Sequence, residues 1–227
     1  IECAPSINTT PEAPDLWRHI ANAKKSGLPY LVMEVASQGL KYDRVYGLKL
    51  DIAVFLNIGT DHISPQEHSD FEDYFTSKLK IFKQANTAVI NTSCDFANRV
   101  ADAAQICANV VTFSTKNADA DLHTTSIQMT PGQATFEAVY AGEPHTFTLG
   151  MGGLFNVENA LAVLGVCQVL NISADQCARG LAVARVPGRM ELLGSAEDQV
   201  IGVVDYAHNK LAFQAFGASV GREFPGR

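Results

Sequence analysis

The chain has 227 residues, 47% apolar and 18% charged, a globular balance large enough for one large domain, or one domain and part of another. A net charge of −7 argues against a nucleic-acid or anionic-membrane binder. No apolar run reaches the roughly 18–20 residues of a membrane span, and IECAPSINTT lacks the basic and apolar regions of a signal peptide. A cytoplasmic protein without membrane insertion is expected. Five widely spaced cysteines (Cys3, Cys94, Cys107, Cys167, Cys177) form no CxxC pair or Cys/His cluster. They read as reduced thiols, mostly buried in helices. The chain starts without Met and in mid-pattern, which reads as an internal start.

Residues 11–26 read as a helix, with Pro11 in the first turn and Lys24-Lys25 late, before Gly27. Tyr30–Val35 and Ile52–Asn57 are continuous apolar runs, expected of buried parallel strands. Residues 69–84 form an amphipathic helix with Phe71, Phe75, Leu79 and Phe82 on one face. Ser69 and Glu72 have the spacing of a capping box. A strand at Thr87–Asn91, a helix at 95–107 and a strand at Val110–Phe113 follow. Alternating strands and helices predict an α/β fold with a mostly parallel central sheet flanked by helices.

The pattern then changes. Residues 122–149 alternate apolar and polar, with turns at PGQ and AGEP, and predict a small antiparallel meander. Helices are expected at Asn156–Leu170 and Ala174–Ala184, short strands at 190–194 and 200–205, and a helix at Lys210–Phe224. That last helix reads as the start of a further domain. The expected division is 1–204, a central domain, and 205–227, a hinge and the first helix of the next.

Polar residues punctuate this frame in a fixed order. Glu34 ends the first apolar run, where open α/β sheets bind ligands. It could hold Mg²⁺ through a carboxylate oxygen, or be a capped or ion-paired strand end. Asp61-His62 follows the second run, and a histidine there could ligate a metal or bond a phosphate. His68, in the same loop, is the weaker candidate. Lys78 lies one turn after Tyr74 beside an apolar face, where a lysine stem commonly lies along the surface. Near a cation its neutral form would be favoured, and a neutral amine can add CO₂ to give an anionic carbamate.

Thr9-Thr10-Pro11 reads as a helix cap, or as hydroxyls that hold an anionic group. Asn156 reads as an N-cap, and Asn159 could read a base edge. Arg189, after Pro187-Gly188, suits phosphate oxygens, and Asp205 could accept from ribose hydroxyls. Each is equally open to a structural ion pair. No Ser-His-Asp or Cys-His constellation stands out, and GMGG (150–153) lacks the context of a dinucleotide fingerprint.

Together these strings resemble the Mur ligase family, in the branch that extends UDP-N-acetylmuramoyl-dipeptide. They are NTTPE (8–12), MEVASQGL with Arg44 (33–44), AVFLNIGTDH (53–62), YFTSK (74–78), NVENALA (156–162), VPGRME (186–191) and VVDYAH (203–208). The resemblance implies an ATP-dependent acid–amino-acid ligase of peptidoglycan precursor synthesis. The substrate carboxylate is phosphorylated by ATP, and the acyl phosphate is attacked by an amino group. It implies that Glu34, His62 and a carbamylated Lys78 surround Mg²⁺, with Lys78 and His62 catalytic. Thr9, Thr10 and Arg44 would hold the UDP-muramoyl dipeptide, and Asn159, Arg189 and Asp205 would contact ATP. The partners implied are that dipeptide and an amino acid, with no nucleic acid, and the protein is expected to be a monomer. Folylpolyglutamate or cyanophycin-type ligases share the pattern, and a non-catalytic nucleotide-sugar-binding relative is the other reading. Three departures matter. Ala36 stands where a Ser is usual, SPQEHSD (64–70) is a longer loop, and no GxxGKT phosphate loop occurs. The chain is therefore expected to begin after that loop, to stop inside a carboxyl-terminal domain, and alone to turn over no ATP.

Overall fold

A computed structural model describes residues 8–60, 62–194 and 198–226. Cys3 and Asp61 lie outside the described residues. The seven helices described are α1 (Ala13–Lys25), α2 (Ser37–Lys41), α3 (Phe71–Leu79), α4 (Ala97–Ala104), α5 (Leu154–Val169), α6 (Ala174–Val183) and α7 (Lys210–Glu223). The eight strands described are β1 (Leu50–Phe55), β2 (Ala85–Asn91), β3 (Asn109–Ser114), β4 (Leu122–Thr130), β5 (Gln133–Tyr140), β6 (Glu143–Leu149), β7 (Glu191–Leu193) and β8 (Gly202–Val204).

β1 to β6 form one sheet in chain order, and β7 and β8 form a separate antiparallel pair. The β1–β2, β2–β3 and β3–β4 pairs are parallel, and the meander β4–β5–β6 is antiparallel. Parallel neighbours usually need a long crossover. The β3–β4 contact manages with a short loop because only two residue pairs match, Phe113 with Leu122 and Ser114 with His123. Side chains hold that loop. Asp121 accepts from the Thr112 N–H and hydroxyl, and Ser114 Oγ accepts from the Lys116 and Asn117 N–H groups.

β2 is covered on both faces. Val89 belongs to the core under α5 and α6, while Ala88 and Ile90 belong to the core under α3 and α4. A sheet covered on both faces has no polar side to mark a period of two. β5 shows the contrast. Ala134, Phe136, Ala138 and Tyr140 are buried, while Gln133 before them and Glu137 among them are exposed. α5 lies tight on the sheet, since a Cβ on Gly165 would stand 2.7 Å from a Val89 methyl.

Several expectations need correction. Tyr30–Val35 is not a strand. It pairs with no described strand, and Tyr30, Leu31 and Val32 are exposed. Apolar content alone makes no strand, because a strand exists only through a partner's hydrogen bonds. Here Thr10 takes part of that role: its hydroxyl accepts from the Ala36 N–H (2.8 Å) and donates to the Glu34 carbonyl (3.2 Å). Thr10 therefore does not cap α1, whose N-cap is Glu12. The predicted helix over 69–84 is α3 followed by a 3₁₀ segment, Lys80–Gln84. Its cap is Asp70, which accepts from the Asp73 N–H at 2.8 Å, so no Ser69 capping box forms. The N-cap of α5 is Gly153, and Asn156 sits inside the helix, donating to the Gly152 carbonyl at 2.7 Å. Of the described cysteines, Cys167 and Cys177 are helical, while Cys94 and Cys107 lie in loops.

Candidate functional site

The loop after β1 carries His62 and His68 and runs into α3. Its backbone turns back on itself: Ile63 bridges His68, and the Ser64 N–H donates to the His68 carbonyl at 3.2 Å. His62 adopts a left-handed conformation, φ 58°, an uncommon state for a residue with a side chain. Its Nδ1 lies 3.0 Å from Glu67 Oε1.

Tyr74, on the first turn of α3, is the meeting point. Its ring centroid is 5.4 Å from that of His62 and 5.3 Å from that of His68, and Lys78 Nζ stands 5.3 Å above it. The i to i+4 spacing places Lys78 over Tyr74. His62 and Lys78 are thus brought to one aromatic ring. Glu34 is exposed on the segment leading into α2, and that segment is tied to the same loop and helix. Lys41 on α2 donates to Asp73 (2.6 Å) and to the Glu67 carbonyl (2.9 Å), and Ser37 Oγ lies 2.9 Å from His68 Nε2. Lys41 and the Ser69 N–H beside Asp73 hold its carboxyl well below the usual range, with His68 adding to the effect. The same contact raises Lys41.

Among the described residues, no group of three His, Cys, Asp or Glu could hold a metal by itself. Mg²⁺ keeps waters and takes phosphate oxygens beside one or two carboxylates, and the side chains that would serve it here are the exposed Glu34 carboxylate and, on the Tyr74 ring, His62 and Lys78.

A second set lies toward α1. Thr9 is exposed and Thr10 is buried under the Glu34–Ala36 backbone. Arg44 holds Glu12 at 2.9 Å and the Thr10 carbonyl at 3.3 Å, and its Nε is buried without a hydrogen-bond partner. The end of the guanidinium that holds the exposed Glu12 carboxylate suits an anion.

A third set surrounds the start of α5. Asn159 is exposed and donates to Asn156 Oδ1 at 3.3 Å. A Cβ on Gly153 would stand 3.1 Å from Met190 Cγ, which puts the Arg189–Met190 turn beside the same helix end. The Met190 N–H donates to one Asp205 oxygen and the Ala207 N–H to the other, both at 2.9 Å. Arg189 stacks its guanidinium 5.0 Å from the Tyr206 ring, and His208 packs on that ring at 4.9 Å. Asp205 therefore ties the Arg189–Met190 turn to the segment after β8, and each of its oxygens keeps one further acceptor position.

Sequence reasoning had no local signal for four contributors: Tyr74 as a shared platform, Glu67, Asp73, and the α7 residue Glu223. Glu223 is buried and accepts from the Gly153 N–H (2.6 Å) and the Gly132 N–H (3.3 Å). Burial pushes its carboxyl up, and the two N–H groups pull it back. No helix of the described residues is long and apolar enough to cross a membrane.

A family model described as Mur ligase middle domain matches residues 1–167. The UDP-N-acetylmuramyl-tripeptide synthetase of Bifidobacterium longum (strain NCC 2705) is 38% identical over 212 residues, covering 88% of this chain and 40% of that protein. The UDP-N-acetylmuramoyl-L-alanyl-D-glutamate–L-lysine ligase of Streptococcus pyogenes serotype M4 (strain MGAS10750) is 40% identical over 202 residues, with the same coverage. The solved structure of a UDP-N-acetylmuramoyl-L-alanyl-D-glutamate–2,6-diaminopimelate ligase superposes with a TM-score of 0.79 at 26% identity, over 93% of this chain and 44% of that one. The chain thus spans about 40% of the length of the curated relatives it matches.

Proposed function

The chain belongs to the Mur ligase middle-domain family, and from that premise we propose that it is the ATP-using part of a cytoplasmic ligase of peptidoglycan precursor synthesis. The ligase extends UDP-N-acetylmuramoyl-L-alanyl-D-glutamate by one amino acid. Residues 1–204 form its central domain, and 205–227 form a hinge and the first helix of the next. The observation that carries this reading is the pairing of His62 and Lys78 on the Tyr74 ring, at the carboxyl end of β1, where α/β sheets place their ligands.

The chemistry follows from the side chains. The acceptor carboxylate attacks the γ-phosphorus of ATP, the bond to the bridging oxygen breaks, and ADP leaves an acyl phosphate. The incoming amine attacks the acyl carbon, loses a proton and expels phosphate, which leaves the amide. Arg44 and the Thr9-Thr10 segment hold the acceptor's anionic groups, and an anion reaching Arg44 displaces Glu12 from it. Arg189 faces phosphate oxygens, Asn159 a base edge and Asp205 the ribose. Mg²⁺, when bound, neutralises phosphate charge beside Glu34 and His62. The Tyr74 ring face favours an ammonium on Lys78, whereas a nearby cation favours the neutral amine. The amine adds CO₂ and releases a proton, giving a carbamate of the charge sign a metal site needs.

The test uses the full-length ligase with ATP, UDP-N-acetylmuramoyl-L-alanyl-D-glutamate, and either L-lysine or 2,6-diaminopimelate. ADP and the tripeptide product should appear in equal amounts, and only when all three substrates are present. ADP release that ignores the muramoyl dipeptide would rule the reading out.

A further inference from the structure

Glu34, His62 and Lys78 sit on three separate stretches of chain, and one buried residue of the His62 loop, His68, reaches the other two stretches. His68 is 1% exposed. Its Nε2 lies 2.9 Å from Ser37 Oγ, on the first turn of α2 and three residues after Glu34. Its Nδ1 lies 3.4 Å from Asp73 Oδ2 on α3, and its ring packs 5.3 Å from Tyr74, the ring that also receives His62 and Lys78. Its carbonyl closes the loop that carries His62, by accepting from the Ser64 N–H.

We propose that His68 is a positioning residue, which sets the His62 loop and the Lys78 helix against the Glu34 segment. The proposal rests on the ligase reading above, in which those three residues would hold Mg²⁺ beside the ATP phosphates. Ser37, His68 and Asp73 lie in the order of a hydrolytic triad, but His68 Nδ1 is buried without a hydrogen-bond partner and the three do not act as one. Ser37 is 5% exposed, and Asp73 is already bound by Lys41 at 2.6 Å. The arrangement is a strut. An imidazole suits it because its two ring nitrogens point in different directions, one toward α2 and one toward α3. Neither single-ended amide does both: Gln reaches the Nε2 position, and Asn the Nδ1 position.

The test compares full-length H68A, H68Q and wild type. Small displacements of reacting groups, on the order of 1 Å, cost about 10²-fold in rate. H68A should therefore lose about 10²-fold in kcat while KM for ATP and for the muramoyl dipeptide stays within about threefold, and H68Q should recover part of the loss. Amide exchange at Ser64 and Glu67 should quicken in H68A while that of α4 and α5 does not. A folded H68A with wild-type kcat overturns the proposal. So does a loss that follows only the folded fraction and that H68Q fails to relieve. If wild type itself shows no ligation, the function reading fails and exchange alone decides. Loop amides unchanged in H68A then overturn the positioning role, and loop amides selectively quickened uphold it.

Discussion

The carboxylate of Glu223 occupies space that exists only because residue 152 is glycine. An ideal Cβ on Gly152 would stand 2.3 Å from Oε2 and 2.7 Å from Oε1 of Glu223. Gly152 is not in the left-handed region, so Gly152→Ala strains no backbone and acts through that collision. Alanine must expel the carboxylate, and with it the bond from the Gly153 N–H at 2.6 Å and the weaker one from Gly132 at 3.3 Å. A hydrogen bond to a charged group contributes about 1.5–3 kcal/mol. The longer bond adds little, and release rehydrates a carboxylate whose burial opposes its charge. We therefore take about 2 kcal/mol, which is roughly 25-fold in the docking equilibrium of α7 on α5. Amide exchange read by mass spectrometry should show the α7 amides of G152A exchanging about 25-fold faster, with the β2 and β5 amides unchanged. Glu223→Ala should give the same change, and the double variant no more than either. A folded G152A whose α7 exchanges at the wild-type rate would refute the reasoning.

Other outcomes follow from the same geometry. Thr10→Val leaves the Ala36 N–H without its 2.8 Å acceptor, so it should lower stability by about 1–3 kcal/mol in denaturant titrations and raise KM for the muramoyl dipeptide; unchanged values for both would show that Thr10 only fills space. Asp73 is held below its usual value of 3.8, so its contribution is fully present above that pH and lost as pH falls toward its folded value. Melting curves should therefore show the wild-type advantage over Asp73→Asn shrinking below about pH 3.8, and an advantage independent of pH would remove Asp73 from the account.

The helices and the meander were legible because their periods are local. Phe75 and Phe82 are buried as their spacing requires, and β5 alternates over its full length. What failed was non-local or competitive. Tyr30–Val35 has the composition of a buried strand, but strand formation depends on a neighbour that lies elsewhere in the chain. Ser69 and Asp70 are both good caps, and only the backbone path selects Asp70. Asn156 reads as a cap by residue type, yet Gly153, with φ 92°, makes the turn that starts α5. In the candidate site, the spacing of Tyr74 and Lys78 was readable as one helical turn. The partners of His68 were not, since Ser37 is 31 residues away, nor was Glu223, which is 70 residues from Gly153.

The most direct test of the acyl-phosphate account is a rapid-quench experiment on the full-length ligase. ATP labelled in the γ-phosphate and the muramoyl dipeptide are mixed without the amino acid, and label transferred to the dipeptide carboxylate is measured. The account predicts an acid-labile acyl phosphate in wild type, formed about 10²-fold or more slowly in Lys78→Ala through lost electrostatic stabilisation. Absence of the acyl phosphate from wild type, or its formation at the same rate in Lys78→Ala, would contradict it.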